Sequence, residues 1–319
     1  MDPLQRVRDA CMAVAERAVH VRINSEHIGA YAESLFTDQM ELPALDPVYH
    51  YVGHGADTVA FILTLDAINF GSGYFPHIHK RPGMSGYFTI ASTLTDLFSR
   101  RGPLSARELR EITADDCAEI FDQDKTDPVI SELMALFSRA LNDLGSYLIR
   151  RFHGDFTALV AAAERSAARL VGALTGMQFF DDVSEYRGID VPFYKRAQIT
   201  ASDLALAFDG KGPGEFYDLD RLTIFADNMV PHVLRVDRIL TYDESLLARI
   251  EREELIPAGS QEEVEIRACA VHAAELIVGA INETGREVTA QQLDNLLWNR
   301  GQGPEYKGRP RHRTRSVYY

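Results

Sequence analysis

The chain has 319 residues, 46% of them hydrophobic and 25% charged, with a formal net charge of −14. Length and composition suit a globular protein of one large domain or two smaller ones. The negative charge disfavours non-specific binding to a nucleic-acid backbone, which needs lysines and arginines to neutralise phosphates, but it leaves room for a local basic pocket around one small anion.

The first stretch, LQRVRDACMAVAERAVHV, puts Leu4, Val7, Cys11, Val14 and Ala18 at three- and four-residue steps, which predicts a helix. Its start, MDPLQRVRDACM, has no long apolar core, and no run approaches about 18 apolar residues, so neither a signal peptide nor a membrane span is expected. Asn24 is a candidate N-cap for a second helix with Ile28, Tyr31 and Leu35 on one face. The apolar run TVAFILTLDAINF, residues 58–70, fits a buried strand or a buried helix; the steps Ala60, Leu63, Ala67, Phe70 favour helix. Ser105 followed by Glu108 is a capping-box pattern, and TADDCAEIF opens similarly at Thr113. Residues of about 128–152 form a long periodic stretch through Ile130, Leu133, Leu136, Phe137, Leu141, Leu144 and Leu148, and another runs from about 155 to 174, ending near Gly176. Further helices are expected from Ser260, with Glu263 in the reciprocal capping position, and from Thr289.

Strand signals are few, and there are no internal repeats. The expected fold class is mostly α, without a Rossmann-like parallel sheet, as a single helical enzyme domain over 1–319. If two lobes exist, the weakest seam is near 123–128, in QDKTDP. Cys11, Cys117 and Cys269 lie far apart without metal-ligand spacing, which points to reduced thiols and a cytoplasmic protein.

Several motifs carry chemistry, each beside a plainer reading. FDGKGPGEF, residues 208–216, has three glycines and a lysine but not the GxxxxGK[ST] pattern, so it reads as a turn between helices. His77 and His79 in PHIHK would share a face on a strand. No third ligand stands at familiar spacing, and Pro76 and Pro82 favour a surface loop, so no metal or cofactor is expected. His50 in VYHYVGHG reads first as a structural histidine with a polar partner; in a pocket it would bond a ligand between tyrosine rings. Asp66 and Asn69, three residues apart in the most apolar run, suit either the edge of a heterocyclic base or a polar tie between helices.

VPFYKRAQIT places Lys195 and Arg196 side by side among apolar residues. Adjacent helical positions point about 100° apart. One cation is therefore expected to reach solvent while the other points inward to an anion, either a carboxylate of this chain or a ligand. In TIFADNMVPHVL, Pro231 marks a new helix and Asp227 lies just before it, as a capping aspartate or as a carboxylate at a helix junction. The basic tail KGRPRHRTRSVYY ends in Val317, Tyr318 and Tyr319, which argues that it packs; Arg313, Thr314 and Arg315 would then suit a phosphate.

Seven colinear stretches together resemble the queuosine salvage protein family: VYHYVGHG, LDAINF, GMSGYF, VPFYKRAQI, TIFADNMVPHVL, QEEVEIRAC and RHRTRSVYY, spanning about residue 48 to the C-terminus. Where the family often has a tryptophan soon after its Asn-Phe pair, this chain reads NFGSGYFP, so Tyr74 or Phe75 takes that place. The resemblance implies hydrolysis of queuosine 5′-phosphate to queuine, a 7-deazaguanine reused for tRNA modification, and ribose 5-phosphate. It implies a fold similar to helix-hairpin-helix DNA glycosylases, which pair a lysine with an aspartate. Carried over by position, these are Lys195 and Asp227, with His50, Phe225, Asn69 and Asp66 as candidates for the base pocket, joined by Phe70 and Tyr194, and Arg313 and Arg315 for the phosphate. The expected partner is this small nucleotide, with no direct nucleic-acid or membrane contact. The alternatives are a glycosylase acting directly on modified tRNA or DNA, which the acidic charge disfavours, and a non-catalytic nucleobase-binding module.

Overall fold

The computed structural model describes residues 2–35 and 45–319. Asp2 opens α1 (Pro3–Ala15) by accepting the Leu4 N–H, and Leu4, Val7, Cys11 and Val14 are buried along one face. The helix ends before Ala18, and a short strand, β1 (Val21–Ile23), precedes α2 (Ser25–Ser34). Asn24 stands at the N-cap of α2 but does not cap it, because its side-chain amide donates to Arg238 O at 2.6 Å and Thr241 Oγ1 at 2.8 Å.

The apolar run is a helix, α3 (Ala56–Ala67). Residues Thr58 to Ala67 are all buried, so no polar face exists to set a period. It is followed by α4 (Gly86–Arg101), α5 (Ala106–Glu111), α6 (Ala114–Ile120) and α7 (Pro128–Phe152). The capping boxes at Ser105 and Thr113 both form. At Gly145 of α7 a Cβ would lie 2.4 Å from Ala106 O and 2.5 Å from Arg110 N, so only glycine lets α5 and α7 approach this closely. The stretch expected as one helix over 155–174 is two: α8 (Phe156–Ala161) and α9 (Ala167–Leu174). Glu164 and Arg165 turn the chain with φ of 50° and 63°. Asp218, brought from far along the chain, accepts the Ser166 hydroxyl and the Ala167 and Ala168 N–H groups, and so rewards a fresh helix start.

A hairpin of β2 (Val183–Tyr186) and β3 (Ile189–Pro192) turns on Arg187 and Gly188, both with positive φ as a tight primed turn requires. Then come α10 (Lys195–Ala207), α11 (Val230–Val236), β4 (Leu240–Tyr242), α12 (Glu244–Glu251), α13 (Gln261–Glu283), α14 (Ala290–Arg300) and α15 (Pro304–Lys307). β1 and β4 pair antiparallel, Val21 opposite Tyr242. Before α13 the capping box is incomplete: Ser260 accepts the Glu263 N–H, but Glu263 Oε2 accepts from Gly259 N. At α14 the box of Thr289 and Gln292 is complete. The protein is thus mostly helical, with two small antiparallel pairs among the described residues.

Two compact units result. The first combines the N-terminal segment, Asp182–Lys195 and Asp220–Arg315; the second combines the segment ending at Asp181 with Arg196–Leu219 and Ser316–Tyr319. In the first, α13 is buried all round from Val264 through Val271, exposes one side beyond that, and packs against α1, α2, α11 and α14. In the second, α7 packs against α3, α5, α6 and α8. Residues 123–128 lie inside the second unit, where Gln123 exchanges hydrogen bonds with the His79 backbone. Among the described residues no helix is long and apolar enough to cross a membrane.

Candidate active site

The VPFYKR segment is held by Asp182. The Phe193 and Tyr194 N–H groups donate to its carbonyl at 2.8 and 3.4 Å, and the Lys195 N–H donates to its carboxylate at 3.2 Å. Asp182 therefore anchors the start of α10, where negative charge is favoured. Tyr194 turns there with φ +49°, uncommon for a bulky residue and costing about 1–3 kcal/mol. It is 4% exposed, and its hydroxyl accepts from Arg6 at 3.4 Å, so it supports the turn.

The expectation that one of the two cations reaches solvent is overturned: Lys195 is 6% exposed and Arg196 1%. The 100° separation sends them to different surroundings, both of them buried. Arg196 belongs to the second unit, where its guanidinium donates to the carbonyls of Asp66, Ala67 and Phe179 and lies 4.9 Å from the ring centres of Phe70 and Phe180. It supplies a donor to the Ala67 carbonyl at the end of α3, and a second one to the Asp66 carbonyl, which also accepts the Asn69 N–H.

Lys195 stays with the first unit, which also holds Asp227 and Phe225. Oδ1 of Asp227 accepts the Met229 N–H at 2.7 Å and the Val230 N–H at 3.2 Å. The capping reading is thus correct, and both bonds fall on one oxygen, fixing the carboxylate without using Oδ2. Asp294, from α14, accepts the Phe225 N–H at 2.8 Å and is 7% exposed. Burial pushes its pKa well above the usual carboxylate range, and the neighbouring Asp227 charge adds to this; the Phe225 N–H and the Lys195 cation pull the other way. The site therefore pairs a half-buried aspartate with a buried carboxyl group whose pKa is raised, under the field of a buried lysine. Arg311 adds a second cation: burial lowers its pKa, and Asp227 raises it.

Asp294 makes stability depend on pH. Its folded pKa lies above its ordinary value of 3.8, so its contribution is intact below that value and is lost as pH rises, when folding must take up a proton. Asp294→Asn keeps the acceptor for Phe225 and titrates nothing. Its stability relative to the parent should rise from about pH 4 toward 7 in urea unfolding, and a gap that is flat with pH would contradict the assignment.

Arg267, 1% exposed, joins the pieces: Nη1 and Nη2 donate to Asp182 at 3.0 and 2.6 Å, and Nε donates to Ala226 O at 3.0 Å. Glu265, another buried carboxylate of the first unit, is fully committed: it accepts the Val19, His20 and Val21 N–H groups and the Tyr186 hydroxyl.

The remaining candidates are spread over both units. In the second, His50 is 5% exposed, with Nδ1 donating to Asp46 O at 3.1 Å and Nε2 accepting from Tyr87 at 3.0 Å. Burial lowers its pKa, so the ring is neutral. Asp66 is fully buried and accepts a long 3.5 Å bond from Asn69, just past the end of α3. Phe70, 2% exposed, packs edge-on against Phe137 and serves the core. Tyr74 is buried on Glu132, and Phe75 lies against Gly86. In the first unit, Arg313 reaches Glu253 at 2.8 Å, and Arg315 is half-buried. PHIHK and FDGKGPGEF are turns and loops, as expected. Asp182, Arg267, Asp294 and Arg311 were missed. The available signal was a lone arginine inside the apolar EIRACAV and an aspartate between Leu293 and Leu297 on an amphipathic helix.

The model of the family described as Queuosine salvage protein matches residues 49–319. A Sphaerobacter thermophilus protein named queuosine 5′-phosphate N-glycosylase/hydrolase is 40% identical over 312 residues, covering 96% of this chain and 95% of its own. Proteins of the same name from Dictyostelium discoideum and Bos taurus are 31% and 29% identical, each over the full length of both chains.

Proposed function

The chain belongs to the queuosine salvage protein family, and from this premise we infer that it hydrolyses the N-glycosidic bond of queuosine 5′-phosphate, releasing queuine and ribose 5-phosphate for queuine salvage. The full-length likeness to relatives of that name carries the reading, and the cluster of Asp227, Asp294 and Lys195 supplies a chemistry for it. The C1′–N bond breaks, water adds its oxygen to C1′, and the base leaves with a proton. The transition state is oxocarbenium-like, positive at C1′ and the ring oxygen. Asp227 is placed in the role of the carboxylate that stabilises this charge and orients or deprotonates the water through Oδ2.

In a 7-deazapurine, carbon replaces N7, so protonation there cannot help the base depart. The load falls on the oxocarbenium side and on the pyrimidine edge. Asp294, its pKa raised by burial and by Asp227, is suited to donate a hydrogen bond to that edge when protonated, with Phe225 beside it. His50, Asn69 and Asp66 are kept as base-pocket candidates and Arg313 and Arg315 as phosphate candidates, and Arg311, beside Asp227, joins the latter. A buried lysine with a loop aspartate on a helical scaffold supports kinship with helix-hairpin-helix DNA glycosylases. Three buried free thiols fit a reducing cytoplasm.

The test is product release from queuosine 5′-phosphate, free queuosine and queuosine-containing tRNA. Queuine from the nucleotide supports the reading; release from tRNA alone, or from none, contradicts it. Lys195→Ala separates two roles. If the lysine holds the phosphate, hydrolysis of the nucleotide should fall further than that of the nucleoside. If it positions Asp227, both should fall alike. An unimpaired variant would remove Lys195 from the site.

A further inference from the structure

We propose that Arg267 is a positioning residue for this hydrolysis: its guanidinium sets the backbones of Lys195 and Asp227 in fixed relation to one another. The inference rests on the glycosylase reading above. One edge of the guanidinium forks onto both oxygens of Asp182 at 3.0 and 2.6 Å, and Asp182 Oδ2 in turn accepts the Lys195 N–H at 3.2 Å. The Asp182 carbonyl holds Phe193 and Tyr194, so one aspartate governs the three residues that bring the chain to Lys195. Nε donates in the other direction, to the carbonyl of Ala226 at 3.0 Å, immediately before Asp227. The plate lies on the ring of Phe193, 3.9 Å from its centre, with Glu263 3.6 Å from Nη1.

A planar fork fixes direction as well as distance, which a lysine ammonium cannot do. Stability alone does not call for such a group, because buried ion pairs are often replaceable by apolar residues without loss. What an apolar side chain could not reproduce is the simultaneous hold on two loops. One of them enters α10 through the left-handed turn at Tyr194, and the other delivers Asp227 to α11. A misplacement of about 1 Å at a reacting group is enough to cost on the order of a hundredfold in rate.

The test is single-turnover hydrolysis of queuosine 5′-phosphate at saturating enzyme. There a partial loss of folded protein leaves the rate constant unchanged, while a misplaced carboxylate lowers it. Arg267→Lys keeps the charge and loses the fork; its rate constant should fall at least about tenfold. In an Asp227→Asn background the same change should cost no more than about threefold, because the group it positions is already disabled. Asp182→Asn, which leaves Arg267 in place and weakens the link to Lys195, should repeat the pattern, and it decides the matter if Arg267→Lys fails to fold. Wild-type rate constants in both variants, or equal losses with and without Asp227, would overturn the inference. A wild-type protein that releases no queuine would overturn the glycosylase reading and this inference with it.

Discussion

Asp227→Asn is expected to slow queuine release by about a hundredfold or more while leaving the fold and substrate binding in place. The asparagine Oδ1 can still accept the Met229 and Val230 N–H groups, so α11 keeps its start. What disappears is the negative charge that would face C1′. The loss should appear in the single-turnover rate constant and not in the concentration of enzyme needed for half-saturation. The same substitution relieves Asp294 of a neighbouring anion and should lower its pKa. A folded variant with near-normal rates would show that another carboxylate does the work. Glu265 would not be next, since its oxygens already hold three backbone N–H groups and the Tyr186 hydroxyl. Asp294 would be.

Removal of residues 311–319 is expected to lower the unfolding midpoint by about 10 °C and to abolish most activity at temperatures where the remainder is folded. The tail is packed. His312 is 2% exposed and Thr314 is fully buried in the first unit, where Arg313 O accepts the Ile256 N–H at 2.8 Å. Tyr319 is 2% exposed in the second, where its carbonyl accepts the Gly71 N–H at 3.1 Å. Truncation orphans both N–H groups, at about 1–3 kcal/mol each, and uncovers the surfaces beneath these side chains. It also removes Arg311 from beside Asp227. Calorimetry with kinetics measured well below the new midpoint would check both parts; a truncated protein with unchanged kinetics would refute the functional one.

Several helices with one wet face were legible, while α4 and α12, which also keep one face wet, were not read from the sequence. α7 buries Ile130, Leu133, Phe137, Leu141, Leu144 and Leu148 of the set its periodicity announces, while Leu136 is only partly buried. α3 was ambiguous for a physical reason: a helix buried on every side has no polar stripe to reveal its period. The break between α8 and α9 was not readable, because the group that stabilises it is Asp218, a long-range partner. The site divides in the same way. Lys195 and Asp227 are proposed on the strength of likeness to a family, since local chemistry offered only an unexplained buried cation and a capping aspartate. Asp182, Arg267 and Asp294 act across the fold, and a single sequence does not display which distant residues meet. The pair Lys195 and Arg196 is instructive: their angular separation was right, yet neither direction leads to water.

The threading of the chain through its two units has a consequence for how the protein is made. α1 leaves the ribosome long before α13, the helix it packs against in the first unit. The apolar face of Leu4, Val7, Cys11 and Val14 must therefore stay uncovered, or be sheltered by other means, while most of the polypeptide is synthesised. The second unit begins with a long uninterrupted run from α3 to α9, yet it also needs Arg196 and Tyr319 from later in the sequence. Neither unit is a contiguous piece that could be cut out and expressed. Vectorial folding can only be partial, because each unit is completed by segments that lie late in this sequence.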